Sequence, residues 1–398
     1  MISYNEALQI VLETCKNYGN EPVSLDDSTG RILAETVLAD RDFPPFDRST
    51  KDGIAIRFDG ITSELPEFKN TGVAQAGNPQ LVLENPDHCL EVMTGAIVPQ
   101  NADTVVMYEH VTKTDKGFII NEPVKKGQNI HYKASDIPEG EELLSPGIKI
   151  SAAEIGVLAS VGKPKVLVKK LPKIAVISTG NELVDVHQTP EPYQIRKSNS
   201  HTVAALLHKQ SISAKIFHLA DNPETIQKMV RTLVSDFDVL LLSGGVSKGK
   251  FDFLPEVFEA LGVEKLFHKV LQRPGKPFWY GTHRSSSTII FSFPGNPVST
   301  FVNYHLYFVP WLNKTLAHST SLFTVFLKDS ITNSTNLTVF VGVKIFFQGG
   351  VLFAKKVSTT GSGDLVSLSK ADGFVQLGPE EEVEDGMEVP FIPTRSII

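Results

Sequence analysis

Three short polar, glycine-rich segments follow wholly apolar runs in the second half of the chain. KIAVIS leads into Thr179-Gly180-Asn181-Glu182, DVLLL into Ser243-Gly244-Gly245-Val246-Ser247-Lys248-Gly249, and TIIFSF into Pro294-Gly295-Asn296-Pro297. Glycines let backbone amides approach an anion, and a helix N-terminus adds free N–H groups. Asn296 can cap a helix that begins at Pro297, leaving later amides free for phosphate. Each segment alone is more often an ordinary turn, but three together predict a site for an anionic ligand.

Carboxylates recur at the same kind of position. Glu182 lies in the first segment, Asp221 in HLADNP and Asp252 in GKFDFLPE. Helix capping is the simpler role for Asp221 or Asp252 taken singly. Several carboxylates beside phosphate-binding loops instead indicate Mg²⁺, a hard cation that takes oxygen ligands and bridges to substrate oxygens. The two roles can coexist, and we expect Glu182, Asp221 and Asp252 as metal ligands.

Two cations lie in a proline-fixed segment, Arg273-Pro274-Gly275-Lys276-Pro277, after the strand-like KVLQ. Such pairs are usually solvated surface charges. Near an acidic cleft that binds Mg²⁺ they favour another role, which is to hold a phosphate or a different multiply charged oxyanion.

The elements that must position these residues form a covered parallel sheet. Residues 171–317 alternate apolar strand-like runs with amphipathic helical stretches, as parallel sheets covered on both faces do. Such sheets bind ligands beyond the carboxyl ends of their strands. NPETIQKMVRTLVSDF is the clearest helix, with Pro223 in its first turn. Its apolar stripe consists of Ile226, Met229, Val230, Leu233 and Val234.

The rest of the chain predicts a multi-domain α/β plus β protein. Residues 46–139 read as a small, mostly β domain, and residues 318–398 as a terminal barrel or sandwich without a convincing helix. Residues 1–45 and 140–170 form a linking domain with two capping boxes. One, Ser3 to Glu6, opens a helix that runs to residue 18 before Gly19; the other, Ser151 to Glu154, opens a helix that ends at Gly162.

Composition excludes several classes of protein. The 398 residues carry a net charge of −7, the reverse of what a nucleic-acid binder needs, although a local basic patch is still compatible with it. No signal segment or long apolar run is present, so we expect a cytoplasmic protein that does not bind membranes. Cys15 and Cys89 lack CxxC spacing, and the 11 His residues lack HxxxH or HExxH pairs, which disfavours disulfide and zinc frameworks.

Eight motifs carry a resemblance to a known family across nearly the whole chain: FPPFDRSTKDGIA, MTGAIVP, GQNIHYKASDI, STGNEL, KSNSHTVAALL, SGGVSKGKFDF, RPGKPFWYG and FPGNPVSTF. In this order they resemble the MoeA family of molybdopterin molybdenumtransferases and the related E domain of gephyrin. The resemblance implies a homodimer of four-subdomain protomers, in which the molybdopterin-binding α/β domain of one subunit faces the small β domain of the other. It also implies that molybdate and adenylylated molybdopterin give molybdenum cofactor and AMP, assisted by Mg²⁺. The adenylyltransferase that supplies the pterin is a further expected partner.

The resemblance implies roles for particular residues of this chain. Its catalytic carboxylates would be Asp52, Asp136, Glu182, Asp221 and Asp252, which hold Mg²⁺ or assist attack on the adenylate phosphorus. Its further matches are Thr94, Arg273, Lys276 and Ser362. Together with the three loops, they give the predicted substrate-binding set: Thr94, Thr179, Gly180, Ser243, Gly244, Gly245, Ser247, Arg273, Lys276, Pro294, Gly295, Asn296 and Ser362.

Two departures from the family pattern fall near the expected chemistry. The family commonly has Met before the Asp-Gly of KDGIA and often Tyr after it, where this chain has Lys51 and Ile54. Lys51 could lower the pKa of Asp52, pair with it, or point into solvent. The family's C-terminal domain often supplies an arginine from a strand, where FVGVKIFF offers Val341 and then Lys344. That contact is either lost or replaced.

Two other functions compete with the transferase. A gephyrin-like dimeric binding scaffold with weakened catalysis would explain the altered residues around Asp52, but the retained carboxylates at 136, 182, 221 and 252 argue against it. A molybdopterin adenylyltransferase would need only the fold of residues 171–317, and the β domains at both ends argue against that.

Overall fold

The computed structural model describes residues 1–62, 66–246, 253–319 and 321–396. The chain divides into two compact units. The larger unit comprises Met1–Ala34, Pro146–Ala152 and Lys165–Ile398, and the smaller unit comprises Glu35–Ser145 and Ala153–Pro164. The predicted four-domain division, with its boundaries, stays a prediction.

Eight α-helices occur in the described residues, and none of them is long and apolar enough to cross a bilayer. In chain order they are α1 (Tyr4–Glu13), α2 (Ala152–Ser160), α3 (Asn199–His208), α4 (Pro223–Asp236), α5 (Leu254–Ala260), α6 (Pro297–Asn303), α7 (Val309–Thr315) and α8 (Leu365–Lys370). A π-helical turn, Tyr304–Phe308, joins α6 to α7.

A six-stranded sheet dominates the smaller unit. Its spatial order is Thr104–Met107, Gly53–Ile56, His88–Val92, Glu67–Ala74, Gly117–Ile120 and Val111–Lys113. Ile54, Phe68 and Phe118 are almost fully buried in one core on this sheet. Two short antiparallel pairs accompany it, Arg48–Ser49 with Ile130–His131 and Val37–Leu38 with Glu142–Leu144. The predicted mostly β domain is confirmed.

The larger unit is built on a second six-stranded sheet. Its order is Lys215–Leu219, Ile174–Thr179, Val239–Ser243, Ile289–Phe293, Trp279–His283 and Val263–His268. The first four strands are parallel, as predicted. Trp279–His283 runs antiparallel to Ile289–Phe293, and the edge strand Val263–His268 runs antiparallel to Trp279–His283. Thr179 pairs with Leu219, Ser178 with Ser243, and Ser243 with Phe293. Four parallel strands therefore end at one edge of the sheet.

Helices cover both faces of this sheet, because successive strand residues point to opposite sides. Ala175 and Ile177 pack in a core with α4 and α5, whereas Ile174 and Val176 pack in a core with α1, α3, α6 and α7. The predicted stripe of α4 is buried, with Met229 partly so. The three-layer α/β architecture is confirmed.

The first helix is shorter than predicted. Its capping box is present: the Glu6 amide donates to Ser3 Oγ (3.2 Å), and the Ser3 amide donates to Glu6 Oε2 (2.7 Å). It ends at Glu13 rather than residue 18, since the Thr14 amide and hydroxyl both turn back to the Val11 carbonyl, at 3.2 and 2.7 Å. A local turn overrides the apolar spacing there. Helix α2 likewise ends at Ser160, two residues before Gly162.

The C-terminal region is a closed barrel. Its five strands are Phe323–Leu327, Thr338–Gln348, Val351–Lys356, Gly373–Leu377 and Glu388–Pro393. The strand Thr338–Gln348 pairs with both Val351–Lys356 and Gly373–Leu377, which closes the ring around residues such as Val343 and Val375. The expectation of no helix here is wrong: Asp364 caps α8 by accepting the Ser367 amide (3.1 Å). Six residues are too few to show a helical period.

The remaining short strands also pair. Asn20–Ser24 pairs with Lys165–Lys169, Leu183–Val184 with Ile195–Arg196, Gln272–Arg273 with the start of Thr338–Gln348, and Ile331–Thr332 with Glu382–Val383.

Candidate active site

The three predicted loops converge at the edge where the parallel strands end. A Cβ at Gly244 would lie 2.7 Å from Thr179 Oγ1, so the first two loops touch. The Gly244 amide donates to the Phe293 carbonyl (3.0 Å), and a Cβ at Gly295 would lie 3.6 Å from Gly244 Cα. Gly244 also has φ +97°, a left-handed conformation that favours glycine. Its missing side chain is what lets the three loops meet.

Glu182 folds back over the first loop. Gly180 has φ +131°, and a Cβ there would lie 2.6 Å from Glu182 Oε1. The Ile195 amide donates to the Glu182 carbonyl (2.9 Å), which fixes the backbone. A residue with a Cβ could not replace Gly180 without displacing the Glu182 carboxylate.

Asp221 is joined to the same loop by a reciprocal pair of hydrogen bonds. The Asn181 amide donates to Asp221 Oδ2 (3.2 Å), and the Asp221 amide donates to Asn181 Oδ1 (3.1 Å). Helix α4 is capped by Asn222, whose Oδ1 accepts the Thr225 amide (2.9 Å). The capping alternative for Asp221 is therefore wrong. Asp221 and Glu182 line the same cleft.

A cleft of about 840 Å³ opens above these loops. Ten predicted site residues line it: Thr179, Gly180, Glu182, Asp221, Ser243, Gly244, Gly245, Pro294, Gly295 and Asn296. Ser247 and Asp252 belong to the predicted set but lie outside the described residues.

The N-terminus of α3 contributes residues that the sequence reasoning missed. Asn199 Nδ2 donates to the Gly295 carbonyl (2.7 Å), and Lys197 forms a 2.9 Å ion pair with Asp185. Ser200 also lines the cleft, and its buried Oγ has no hydrogen-bond partner among the described residues. The serine-rich KSNS segment ahead of an amphipathic stretch was the available signal.

Asn296 occupies the predicted N-cap position of α6 but does not cap it. Its Nδ2 donates to Ser362 Oγ (2.8 Å), and the Val298 amide donates to the Ser362 carbonyl (3.1 Å). One amide that was expected to be free for phosphate is thus engaged. Ser362 is distant in sequence from the three loops, yet it is hydrogen-bonded directly to the third one.

Arg273, Lys276 and Ser362 line a second cavity of about 600 Å³. It shares Pro277, Asn296 and Ser299 with the cleft, so the two spaces have a common wall. The predicted substrate-binding residues of the larger unit are consequently divided between two neighbouring cavities.

A buried polar network fixes the segment that carries Arg273 and Lys276. Gln272 Nε2 donates to Asn303 Oδ1 (2.8 Å) and to the Pro274 carbonyl (2.9 Å). Asn303 Nδ2 donates to the Gly275 carbonyl (3.1 Å), and the Tyr307 hydroxyl donates to Gln272 Oε1. Gln272 and Asn303 are fully buried, and burial raises the pKa of Tyr307 far above its usual value. The network holds the backbone while leaving both cations exposed.

The two barrel positions that differ from the family pattern separate in the structure. Val341 lines the second cavity, whereas Lys344 lines a different groove together with Lys355, Lys370 and Arg395. Lys344 therefore does not supply a cation to the second cavity.

In the smaller unit, Thr94 holds Asp52. The Thr94 amide (2.6 Å) and hydroxyl (2.8 Å) both donate to Asp52 Oδ1. These hydrogen bonds, the backbone one first, hold the pKa of Asp52 below its usual value. Lys51 is exposed and forms no ion pair with any residue the structure describes. The solvent-facing alternative for Lys51 is the one that fits.

Asp136 is the end of a short polar chain. Arg48 donates to His131 Nδ1 (3.2 Å), and His131 Nε2 lies 2.8 Å from Asp136 Oδ1. Since an arginine can only donate, Nδ1 must accept, and a neutral His131 then carries its proton on Nε2 and donates it to Asp136. Arg48 and His131 were absent from the predicted set.

Metal ligands are few. Within the described ranges, no group of three or more His, Cys, Asp or Glu side chains could hold an ion. Cys15 and Cys89 are free thiols.

Comparison with known proteins identifies the family. Residues 2–162 match the MoeA N-terminal region (domain I and II), 175–314 a probable molybdopterin binding domain, and 324–394 the MoeA C-terminal region (domain IV). A molybdopterin molybdenumtransferase of Synechocystis sp. is 39% identical over 95% of both chains, and one of Staphylococcus epidermidis is 30% identical over 99% of this chain and 96% of its own. The crystal structure of a molybdopterin biosynthesis moeA protein from Pyrococcus horikoshii OT3 matches with a TM-score of 0.82, 28% identity, and 98% and 99% coverage. Because all three regions match in order and the relatives match along nearly the whole chain, the chain belongs to the MoeA family of molybdopterin molybdenumtransferases.

Proposed function

We propose that the protein inserts molybdenum from molybdate into adenylylated molybdopterin, releasing AMP and giving molybdenum cofactor. One structural observation carries this assignment. A cleft with phosphate-type loops and two carboxylates shares a wall with a cavity lined by cations, so a phosphate-bearing ligand and a small oxyanion can lie side by side. The relatives that match along the chain are named for this transferase activity.

The cleft suits the phosphates of the adenylylated pterin. Gly244 and Gly245 leave room for close backbone approach, and Ser243 lies at the strand end beneath them. The N-terminus of α3 adds the positive end of a helix dipole and the unpartnered Ser200 hydroxyl. These groups would bind and orient the phosphates.

Glu182 and Asp221 fit Mg²⁺. Both line the cleft, and their ligating atoms are carboxylate oxygens. Mg²⁺ is usually bound by one or two carboxylates together with substrate phosphates, so a third protein ligand is not required. When bound, the ion neutralises charge that develops on the phosphate oxygens. Asp252 stays a predicted third ligand.

Arg273 and Lys276 are the cations that we propose hold molybdate. The Gln272 and Asn303 network fixes their backbone, and Ser362 adds a hydroxyl to the same cavity. Molybdate is doubly charged, and hydrogen bonds between charged partners are the strong ones.

Asp52 and Asp136 are the proposed catalytic carboxylates of the smaller unit. The two Thr94 donors stabilise the ionised form of Asp52, and Asp136 accepts a hydrogen bond from His131. Each can therefore accept a proton or orient a water molecule. We also propose a cytoplasmic homodimer that receives its pterin from the adenylyltransferase.

The test is an AMP-release assay. Purified protein is incubated with adenylylated molybdopterin, Mg²⁺ and molybdate, and AMP should form only when molybdate is present. The absence of molybdate-dependent AMP release would falsify the transferase assignment. Turnover of free molybdopterin with ATP would instead favour an adenylyltransferase.

Asp252→Asn should impair turnover without unfolding the protein, and unchanged turnover would assign Asp252 to capping alone.

A further inference from the structure

The second cavity contains a third cation. Besides Arg273 and Lys276, its lining includes Lys356, the last residue of the barrel strand Val351–Lys356. The described residues that line the cavity include no Asp or Glu. In a chain with a net charge of −7, a cavity with three positive side chains and no negative one is a marked departure from the whole.

These cations lack counter-charges. Arg273, Lys276 and Lys356 form no ion pair with any residue in the described part of the chain. By contrast, Lys197 in the adjoining cleft is paired with Asp185. Like charges gathered without a partner repel one another, and a bound anion removes that repulsion.

The remaining residues that line the cavity favour the binding of an anion. Apolar side chains, Val339, Phe340, Leu368 and Phe374, form much of the lining and weaken the screening of charge by water. Ser362 and the neighbouring Thr359 and Thr360 supply polar groups. This combination suits a small, compact and multiply charged oxyanion.

Strand geometry separates Lys356 from its neighbour. Lys356 pairs with the buried Val343, and Lys355 pairs with Lys344. Successive strand residues point to opposite faces. Lys355 accordingly lines only the outer groove with Lys344, whereas Lys356 lines both that groove and the cavity.

We infer that Lys356 is the third cation that holds the oxyanion substrate, together with Arg273 and Lys276. It takes the place of a cation on the adjacent strand, where Val341 contributes none. The assignment rests on the proposed function for the identity of the anion, molybdate. Lys356 is thus a binding residue, and its contribution belongs in the affinity for molybdate rather than in the affinity for the pterin.

The experiment measures molybdate binding to the full chain by titration calorimetry. Lys356→Gln should raise the Kd for sodium molybdate by roughly tenfold or more, and Lys356→Arg should retain most of the affinity. Lys355→Gln is the matched control, since it removes the same charge one residue away and should leave the Kd nearly unchanged. In the AMP assay, Lys356→Gln should raise KM for molybdate, with kcat and KM for adenylylated molybdopterin preserved.

Three results of the binding experiment would overturn the assignment: a parent protein that binds no molybdate, a Lys356→Gln variant that binds it like the parent, or an equal loss in Lys355→Gln. Thermal unfolding of each variant checks the fold. Molybdate-dependent AMP release that is insensitive to Lys356→Gln would remove Lys356 from the site and leave the proposed function standing. If Lys356→Gln weakened molybdate binding but neither the parent nor any variant released AMP, Lys356 would remain a molybdate-binding residue and the proposed function would fail.

Discussion

Asn296 donates a 2.8 Å hydrogen bond to Ser362, a residue 66 positions further along the chain, and thereby ties a loop of the α/β sheet to the turn that precedes α8. Both residues line the second cavity, and Asn296 also lines the cleft. The bond therefore lies in the wall between the two proposed ligands.

The effects of removing the Asn296 and Ser362 side chains should not be additive, because each substitution breaks the same hydrogen bond. Asn296→Ala and Ser362→Ala should each lower kcat/KM, and the double variant should lose less than the sum of the two by about 1 kcal/mol. The measurement is a double-mutant cycle on AMP release. Strict additivity would mean that the two side chains act independently.

Asp221→Asn should raise the Mg²⁺ concentration needed for half-maximal activity by roughly tenfold or more. The amide oxygen can still accept the Asn181 hydrogen bond, so the loop should keep its conformation. Asn222→Ala is the control: it should cost about 1 kcal/mol of unfolding free energy through the lost α4 cap and leave the Mg²⁺ requirement unchanged. An unaltered Mg²⁺ dependence in Asp221→Asn would exclude Asp221 as a ligand.

Thr94→Val should raise the pKa of Asp52 toward its usual value, because the variant removes the hydroxyl donor and disturbs the amide donor. Carboxyl NMR titration reports this shift directly. Lys51→Met should leave the Asp52 pKa unchanged and preserve activity. A large pKa change in Lys51→Met would show that the lysine, rather than Thr94, controls the carboxylate.

Stability should fall between pH 8 and pH 5 because of His305. Burial lowers the pKa of His305 to about 4, and its Nδ1 donates to the Phe301 carbonyl (2.8 Å). In the unfolded chain His305 has an ordinary pKa of about 6.5, so it binds a proton as the pH falls to 5, whereas the buried histidine of the folded protein stays neutral. The free energy of unfolding should drop by about 2 kcal/mol from this group.

Denaturant unfolding at the two pH values measures this loss. For the parent and for His305→Asn, the change in the free energy of unfolding between pH 8 and pH 5 is compared. This change can be compared even if the variant is less stable at both pH values. A drop of equal size in both proteins would assign the pH dependence to other groups.

Much of the fold followed from local patterns in the sequence. Apolar runs that end in glycine and polar residues predicted strands ending together, and the register of Thr179, Ser243 and Phe293 confirms it. Propensity could not locate the end of α1, because Thr14 closes it through its own hydroxyl, nor the six residues of α8. These are decided by single hydrogen bonds rather than by periodicity.

The site was harder to predict than the fold. Asn296 looked like a cap because only its neighbours in sequence were visible, whereas its partner comes from a distant turn. Arg48 and His131 lie inside two of the quoted motifs, but their connection to Asp136 depends on the strand pairing that brings them together. Lys356 looked like any surface lysine until the strand register separated it from Lys355.

The buried hydrogen bonds of Gln272, Asn303 and Tyr307 also bear on the cost of binding. They immobilise the backbone beneath Arg273 and Lys276 when the chain folds. An arriving anion therefore meets a pre-organised backbone, and little of its interaction energy is consumed in ordering that segment. What remains for the ligand to restrain is the exposed ends of the cationic side chains.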